Sequence, residues 1–282
     1  MRVLVTGGAG RVGKYLVREL ADRGHAVTSL DFAPPPERVA GASYMTGNAG
    51  VVADLYGALS YSRAEAIIHM AAWADPGIVA DTRTYGENTA AGFAVLDLAA
   101  TLGLKRAILA SSAQVYGFAE HAPVYAPVDE DHPLRPLNSY ALSKIATEQA
   151  AAYFAGKGVN AICLRIMGAR PPEAIDAEIE RIAADPGSDR FLLWTRTDAR
   201  DIAIGCCQAL ETANVPSGIY NLTGSQNLLD LPTAEVLAQH CPETEIRLRP
   251  TSRQSPLSIE KARAAFGYEP RFVWTVAQRH PA

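Results

Sequence analysis

Tyr140 and Lys144 stand four residues apart in the run Ser139-Tyr140-Ala141-Leu142-Ser143-Lys144. On a helix that spacing puts a phenol and an ammonium on one face. A phenol titrates near pH 10 and is a poor base at neutrality. A neighbouring ammonium favours the phenolate, and a fall of about three pKa units is worth roughly 4 kcal/mol. Such a pair can take the proton of an alcohol while hydride leaves the carbon that bears it. Ser111 and Ser112 end the apolar run at residues 106–110, and the Ser112 hydroxyl is placed to hydrogen-bond the same substrate oxygen.

Hydride needs an acceptor, and the first residues encode its cradle. Residues 3–5 are a short apolar run that reads as a buried parallel strand. Gly7, Gly10 and Gly13 follow three apart, ahead of a helical pattern of Val12, Leu16, Val17 and Leu20 that ends near Gly24. Glycine is required there because a tight turn, a close approach of pyrophosphate to the backbone and close helix-strand packing leave no room for a side chain. The helix start adds free N–H groups and partial positive charge, with Arg11 and Val12 between the glycines. Asp31 closes the next apolar run, residues 26–30, where a carboxylate takes the ribose hydroxyls of NAD.

The elements that must position these groups alternate in type. A strand is expected at residues 43–45, then the turn Gly47-Asn48-Ala49 and a helix through Leu55 and Leu59. Residues 66–72 read as a buried strand running into a small-residue turn at Ala71 and Ala72, with space for the cofactor. A helical pattern at residues 85–102, a strand at 106–110, a helix at 139–156 and a strand at 160–165 complete the alternation. It predicts an α/β fold, a Rossmann-type doubly wound parallel sheet with helices on both faces. The proline-rich segment 117–136 is long enough to be a covering loop. Beyond residue 165 the order breaks into an acidic helix at 173–184, a short strand at 192–195, a helix at 198–210 and a strand at 218–222. A helix at 232–240, a strand at 245–248 and a terminal helix at 258–266 with Ser258 as N-cap follow. The expected division is a dinucleotide-binding domain of residues 1–165, with 198–222 returning to it. Residues 166–197 and 223–282 form a small interleaved substrate-binding lid.

The 282 residues carry a formal charge of -4, which offers no pull toward nucleic acid or an anionic membrane. No window approaches the ~20 apolar residues of a membrane span, and an N-terminus that is already a strand is not a signal peptide. Cys163, Cys206, Cys207 and Cys241 lack C-x-x-C spacing and read as buried, reduced thiols of a cytoplasmic protein, with no metal. Asp129, Glu130, Asp131 and His132 read as a solvated loop. His69, inside a buried strand next to the small-residue turn, reads as structural or as a cofactor contact, not as a catalytic imidazole.

With these motifs in place, the sequence resembles the extended short-chain dehydrogenase/reductase family, the NAD-dependent sugar epimerases and dehydratases. The resemblance spans residues 6–13, Asp31, Ile68-His69-Met70-Ala71-Ala72, Asn88 in the following helix, residues 111–117, Tyr140 to Lys144 and Asp198-Ala199-Arg200-Asp201. It implies Tyr140 as general base, Lys144 as its partner and ribose ligand, and Ser112 as donor to the carbonyl oxygen. It also implies NAD rather than NADP, with Asn48 and Ala49 near adenine and Asn88 at the cofactor, and a homodimer through a helical face. Dehydratases of the family use an acidic pair where this chain has Ala113 and Gln114, so dehydration is disfavoured. Nucleotide-sugar epimerases typically carry Asn where this chain reads Met167-Gly168-Ala169-Arg170, and a larger C-terminal region. The expected substrate is therefore a small sugar, sugar acid or polyol, as for the uronate dehydrogenases, which the chain resembles in length and around Trp194-Thr195. Gln114, Arg170, Trp194 and Arg196 are its expected contacts, and the expected reaction is net hydride transfer to NAD. The alternative is an epimerase of sugars or nucleotide-sugars that retains its cofactor.

Overall fold

Val3, Leu4 and Val5 are fully buried, but they face different cores, because successive strand side chains point to opposite sides of a sheet. That alternation sets the architecture. The computed structural model describes residues 1–75 and 77–275. In chain order the first half runs β1 (Arg2–Thr6), α1 (Gly13–Asp22), β2 (Ala26–Asp31), β3 (Ala42–Thr46), α2 (Val52–Ser62), β4 (Ala66–His69), α3 (Asp81–Leu102) and β5 (Arg106–Ser112). There follow β6 (Tyr125–Ala126), α4 (Ser139–Ala155), β7 (Ala161–Ile166), β8 (Ala169–Arg170), α5 (Ile175–Ala184), β9 (Thr197–Asp198), α6 (Ala199–Glu211) and β10 (Gly218–Leu222). The last elements are α7 (Thr233–His240), β11 (Glu245–Ile246) and α8 (Glu260–Phe266).

Seven strands form one parallel sheet in the order β10-β7-β5-β4-β1-β2-β3. On one face α1, α6 and α8 bury Leu16, Val17, Leu20, Ile202, Cys206 and Phe266 against Val3 and Val5. On the other, α2, α3 and α4 bury Leu55, Val95, Ala99 and Phe154 against Leu4 and Ile67. The sheet is covered on both sides, as an all-parallel sheet must be. The strand order reverses at β1, between β2 and β4, and such folds bind their ligands at the carboxyl ends beside that reversal.

A third apolar cluster lies off the sheet. Val115 and Tyr116, in the turn after β5, and Phe118 and Val128 of segment 117–136 pack there with Met167, Leu192, Leu193, Trp194, Leu237 and Trp274. β6 pairs in parallel with β11, and Val128 bridges to Leu257, so the loop is stitched to the C-terminal segments. Residues 276–282, the end of the expected lid, lie outside the described residues.

Two expectations fail locally. Residues 192–195 are not a strand: the single-turn bonds Leu193 N–H to Arg190 O (3.0 Å) and Thr195 N–H to Leu192 O (3.1 Å) wind this stretch. Leu193 and Trp194 are left-handed, with φ of 48° and 53°, and the strand pairing falls instead between Ala169–Arg170 and Thr197–Asp198. Segment 129–132 is solvated only in part: Asp131 is exposed, but Asp129 and Glu130 are half-buried. His132 is buried, its Nε2 accepts from Val124 N–H (2.9 Å) and its Nδ1 meets Pro133 O (3.0 Å). Glu130 Oε1 accepts from Asn221 N–H at 2.6 Å. Polar residues that complete an irregular backbone look, in sequence, like residues facing water.

Behind β5 lies a buried ion pair. One guanidinium edge of Arg165, Nε and Nη2, donates to the two Glu148 carboxylate oxygens at 2.8 Å each, with side chains 2% and 4% exposed. Replacing Arg165 by leucine strands the Glu148 carboxylate, and the expected cost is about 3–5 kcal/mol of folding stability. Urea unfolding reads it; a loss below about 1 kcal/mol would show that the pair is not a structural requirement.

Candidate active site

α4 carries Tyr140, Lys144 and Glu148 on one face, four residues apart, and each is held against the end of β5. The Ser112 hydroxyl lies against the Tyr140 phenol. Lys144 Nζ donates to Ala110 O at 2.7 Å, and Ser111 Oγ donates to Glu148 Oε1 at 2.6 Å. The helix starts where it does because Asn138 Oδ1 accepts from Ala141 N–H at 2.8 Å, an N-cap that the sequence reading did not single out. Gln114 is drawn into the same cap: its Oε1 accepts from Asn138 Nδ2 (3.2 Å), and its backbone N–H donates to Ser112 Oγ (3.2 Å).

Burial dominates the electrostatics of the pair. It pushes the Tyr140 phenol up to about 12, against a downward pull from Ser112 and Arg11, while Asp75 adds to the rise. Burial brings the Lys144 ammonium down to about 8, with Cys163 and Glu148 holding it up. Lys144 Nζ stands 5.4 Å from the Tyr140 ring centroid. At neutral pH Lys144 is therefore charged and Tyr140 protonated, and further positive charge at the phenol is what would make it a base.

Around the crevice beside β1 the structure offers a cradle for a dinucleotide. Gly7 has φ +75°, and a Cβ there would sit 2.6 Å from Ala71 N; a Cβ on Gly13 would strike Gly7 O. At Gly10 the nearest atom to such a Cβ is Gly7 O, 3.1 Å away, and Gly10 is exposed. The turn is thus tight where it packs and open where an anion would lie. The N-cap of α1 is Val12, which makes no side-chain bond at the helix start, while Lys14 and Tyr15 N–H turn back to Gly10 O (3.2 Å) and Val12 O (3.0 Å). Asp31 Oδ2 accepts from Ala9 N–H at 2.9 Å, which fixes the carboxylate at the rim. A cleft opens there, walled by Gly7, Asp31, Asn48, Ala49, Ala71, Ala72 and Asn88. These residues suit NAD.

Two of them act differently than expected. Asn48 Oδ1 is occupied by Gly50 N–H at 2.8 Å. Asn88 clamps the turn after β4, accepting from Trp73 N–H (2.9 Å) and donating to Trp73 O (3.2 Å) and Ser143 Oγ (3.2 Å). Phe32 and Trp73 also line the cleft. Sequence reasoning missed both, although each directly follows a residue it selected, Asp31 and Ala72.

The expected substrate contacts separate. Arg170 is part-exposed and paired with Glu178 through Nε at 2.8 Å. Arg196 is corrected out of the site: its guanidinium is fully buried and donates to Glu178, Asp189 and Thr195 O, so it has nothing left to offer a substrate. Trp194 is corrected likewise, being wholly buried in the third cluster with Nε1 donating to Pro186 O at 2.7 Å. Among the described residues no group of His, Cys, Asp or Glu side chains could hold a metal ion.

A profile of the NAD dependent epimerase/dehydratase family matches residues 3–223. A UDP-glucose 4-epimerase of Azospirillum brasilense is 31% identical over 179 residues, 60% of this chain and 50% of that protein, so the chain spans about half the length of this relative. A UDP-glucose 4-epimerase of Lacticaseibacillus casei aligns with 100% of this chain and 98% of its own length, 26% identical over 331 residues. A short-chain dehydrogenase/reductase superfamily protein from Agrobacterium tumefaciens, solved with bound NAD, superposes with a TM-score of 0.74 at 22% identity. That superposition covers 96% of this chain and 93% of that one, and it speaks for the fold.

His69, at the end of β4, is buried with Nδ1 2.7 Å from Thr6 Oγ1, and burial, with Lys144 nearby, lowers it to about 3. An unfolded histidine takes its proton near pH 6.5. Stability from this group is therefore complete above about 6.5 and is lost as pH falls toward about 3, at most a few kcal/mol. Denaturant titrations across that window should show a shallower acid loss in His69→Asn than in the unsubstituted chain; equal slopes would refute the assignment.

Proposed function

The chain belongs to the NAD-dependent epimerase/dehydratase family, and from that premise we propose that it is an oxidoreductase taking hydride from a secondary or anomeric hydroxyl of a small sugar-like substrate: a sugar, sugar acid or polyol. The observation that carries this reading is the convergence of Ser112, Tyr140 and Lys144 at the carboxyl edge of the sheet, beside the Asp31 cleft.

Bound NAD supplies the hydride acceptor and a positive ring charge that works against the burial of Tyr140. The Ser112 hydroxyl holds the substrate oxygen against the phenol. Tyr140, as the phenolate left once its own proton has passed to solvent, takes the hydroxyl proton as the carbon becomes a carbonyl and hydride goes to NAD, and Lys144, pinned to Ala110 O, keeps its ammonium near the ring. Asp31 directs its carboxylate to the ribose hydroxyls, Gly7, Gly10, Arg11, Val12 and Gly13 receive the pyrophosphate, and Asn48, Ala49, Ala71 and Ala72 form the walls. Segment 117–136 is anchored to the C-terminal segments through β6 and Val128.

The reading of a small substrate rests on chain length. The full-length alignment with the Lacticaseibacillus epimerase needs 331 positions for the 282 residues of this chain, so that relative carries segments absent here. Gln114 and Arg170 remain as polar contacts for a small oxygen-rich substrate. The second reading, an epimerase that returns hydride to the opposite face, is favoured by the names of the relatives, which are UDP-glucose 4-epimerases. For a partner, Tyr85 and Phe93 of α3 with Leu142 and Tyr153 of α4 present large exposed apolar side chains on adjacent packed helices, which suits a second copy of the chain.

Tyr140→Phe should bind NAD as the unsubstituted chain does while turnover falls at least about a hundredfold. NADH formation across small sugars, uronic acids and polyols reads turnover, and calorimetry reads binding. Undiminished turnover removes Tyr140 from the chemistry. Near-stoichiometric NAD released on denaturation, with sugar epimers interconverted and no net NADH, selects the epimerase.

A further inference from the structure

Phe32 directly follows β2, and Trp73 belongs to the turn after β4. Both strands pair with β1, one on each side. Their ends therefore stand two strand spacings apart, about 10 Å. Across that gap the two rings meet, with centroids 5.8 Å apart and planes 26° apart. The contact spans the mouth of the cleft above the carboxyl end of β1, over the opening that Asp31 borders.

The two sides of this bridge are built differently. Trp73 is fixed: Asn88 holds its backbone N–H and carbonyl, its Nε1 donates to Glu87 Oε2 at 2.6 Å, and the Arg83 guanidinium lies 5.0 Å from its ring centroid. Arg83 in turn pairs with Glu87 at 2.6 Å. Phe32 is 56% exposed and can swing out without unpacking a core. A second contact crosses farther along, where Arg11 stands 3.8 Å from Asp75, but both side chains are about half exposed and such pairs hold weakly.

Resting on the reading that this cleft takes NAD, we infer that Phe32 and Trp73 form an aromatic roof over its adenosine half, Trp73 the fixed post and Phe32 the moving leaf, and that this roof sets how slowly the cofactor leaves. A π-face is what an adenine ring stacks on, and the other walls beside the rings are the small side chains of Ala49, Ala71 and Ala72.

The test uses the full chain freed of nucleotide, with AMP and NAD as calorimetric ligands and NADH release followed by stopped-flow fluorescence. Phe32→Ala should weaken AMP and NAD alike by about tenfold, chiefly through faster release, without lowering the melting temperature. Phe32→Tyr, which keeps the ring, should restore both. Asp75→Asn should leave AMP affinity unchanged. Tight AMP binding that Phe32→Ala does not alter, or a loss that Phe32→Tyr does not repair, overturns the roof while the NAD reading stands. An unsubstituted chain that binds neither AMP nor NAD overturns the NAD reading and the roof with it.

Discussion

The register between α4 and the end of β5 is the constraint on which the chemistry depends. Three side chains from consecutive turns of one helix, Tyr140, Lys144 and Glu148, engage three consecutive residues of one strand, Ser112, Ala110 and Ser111. A slip of the helix by one residue would turn that face through about 100° and break all three contacts at once. The Asn138 cap fixes where the helix begins, and the Arg165 fork fixes Glu148 from β7, the next strand. The catalytic groups are thus located by backbone pairing on one side and by a buried ion pair on the other. Such rigidity holds the Ser112 hydroxyl and the Tyr140 phenol in a fixed relation, as the proposed chemistry requires.

The nucleotide half of the crevice is organised by exclusion. Gly7 and Gly13 let β1, α1 and the turn after β4 approach until no Cβ fits between them. That closeness brings Ala71 beneath the cleft and sets Trp73, through Asn88, at its rim. Asn88 thus shapes the cleft through the turn it clamps. One amide thereby ties α3, α4 and the turn after β4 together, so the binding wall and the catalytic helix share an anchor.

Much of this was legible in the sequence, for a physical reason. Glycine spacing, the carboxylate after the second apolar run and the Tyr-Lys pair at i and i+4 are short-range patterns, and the alternation of buried strands with helices dictates a parallel sheet. What was not legible depends on partners distant along the chain. Arg196 reads as an available cation until Glu178 and Asp189 surround it, 18 and 7 residues away. Trp194 reads as a stacking surface until the covering loop and the C-terminal segments bury it. His132 and Glu130 read as a wet loop because the backbone groups they satisfy, on Val124 and Asn221, cannot be paired from composition. Phe32 and Trp73 lie 41 residues apart and meet only because β2 and β4 flank the same strand.

Desolvation has opposite effects on the two central ionisable groups, and this decides when the site is reactive. Burial disfavours any charge, so it raises the phenol to about 12 and lowers the ammonium to about 8. Left to itself the pair rests as a neutral phenol beside a cation close to losing its proton. The same dry surroundings strengthen the field of whatever charge is added, because little water remains to screen it. A positive ring docked against Tyr140 would then act on the phenol more strongly than it could in water. On the proposed reading, in which Tyr140 is the base, proton abstraction is thereby tied to an occupied cofactor site.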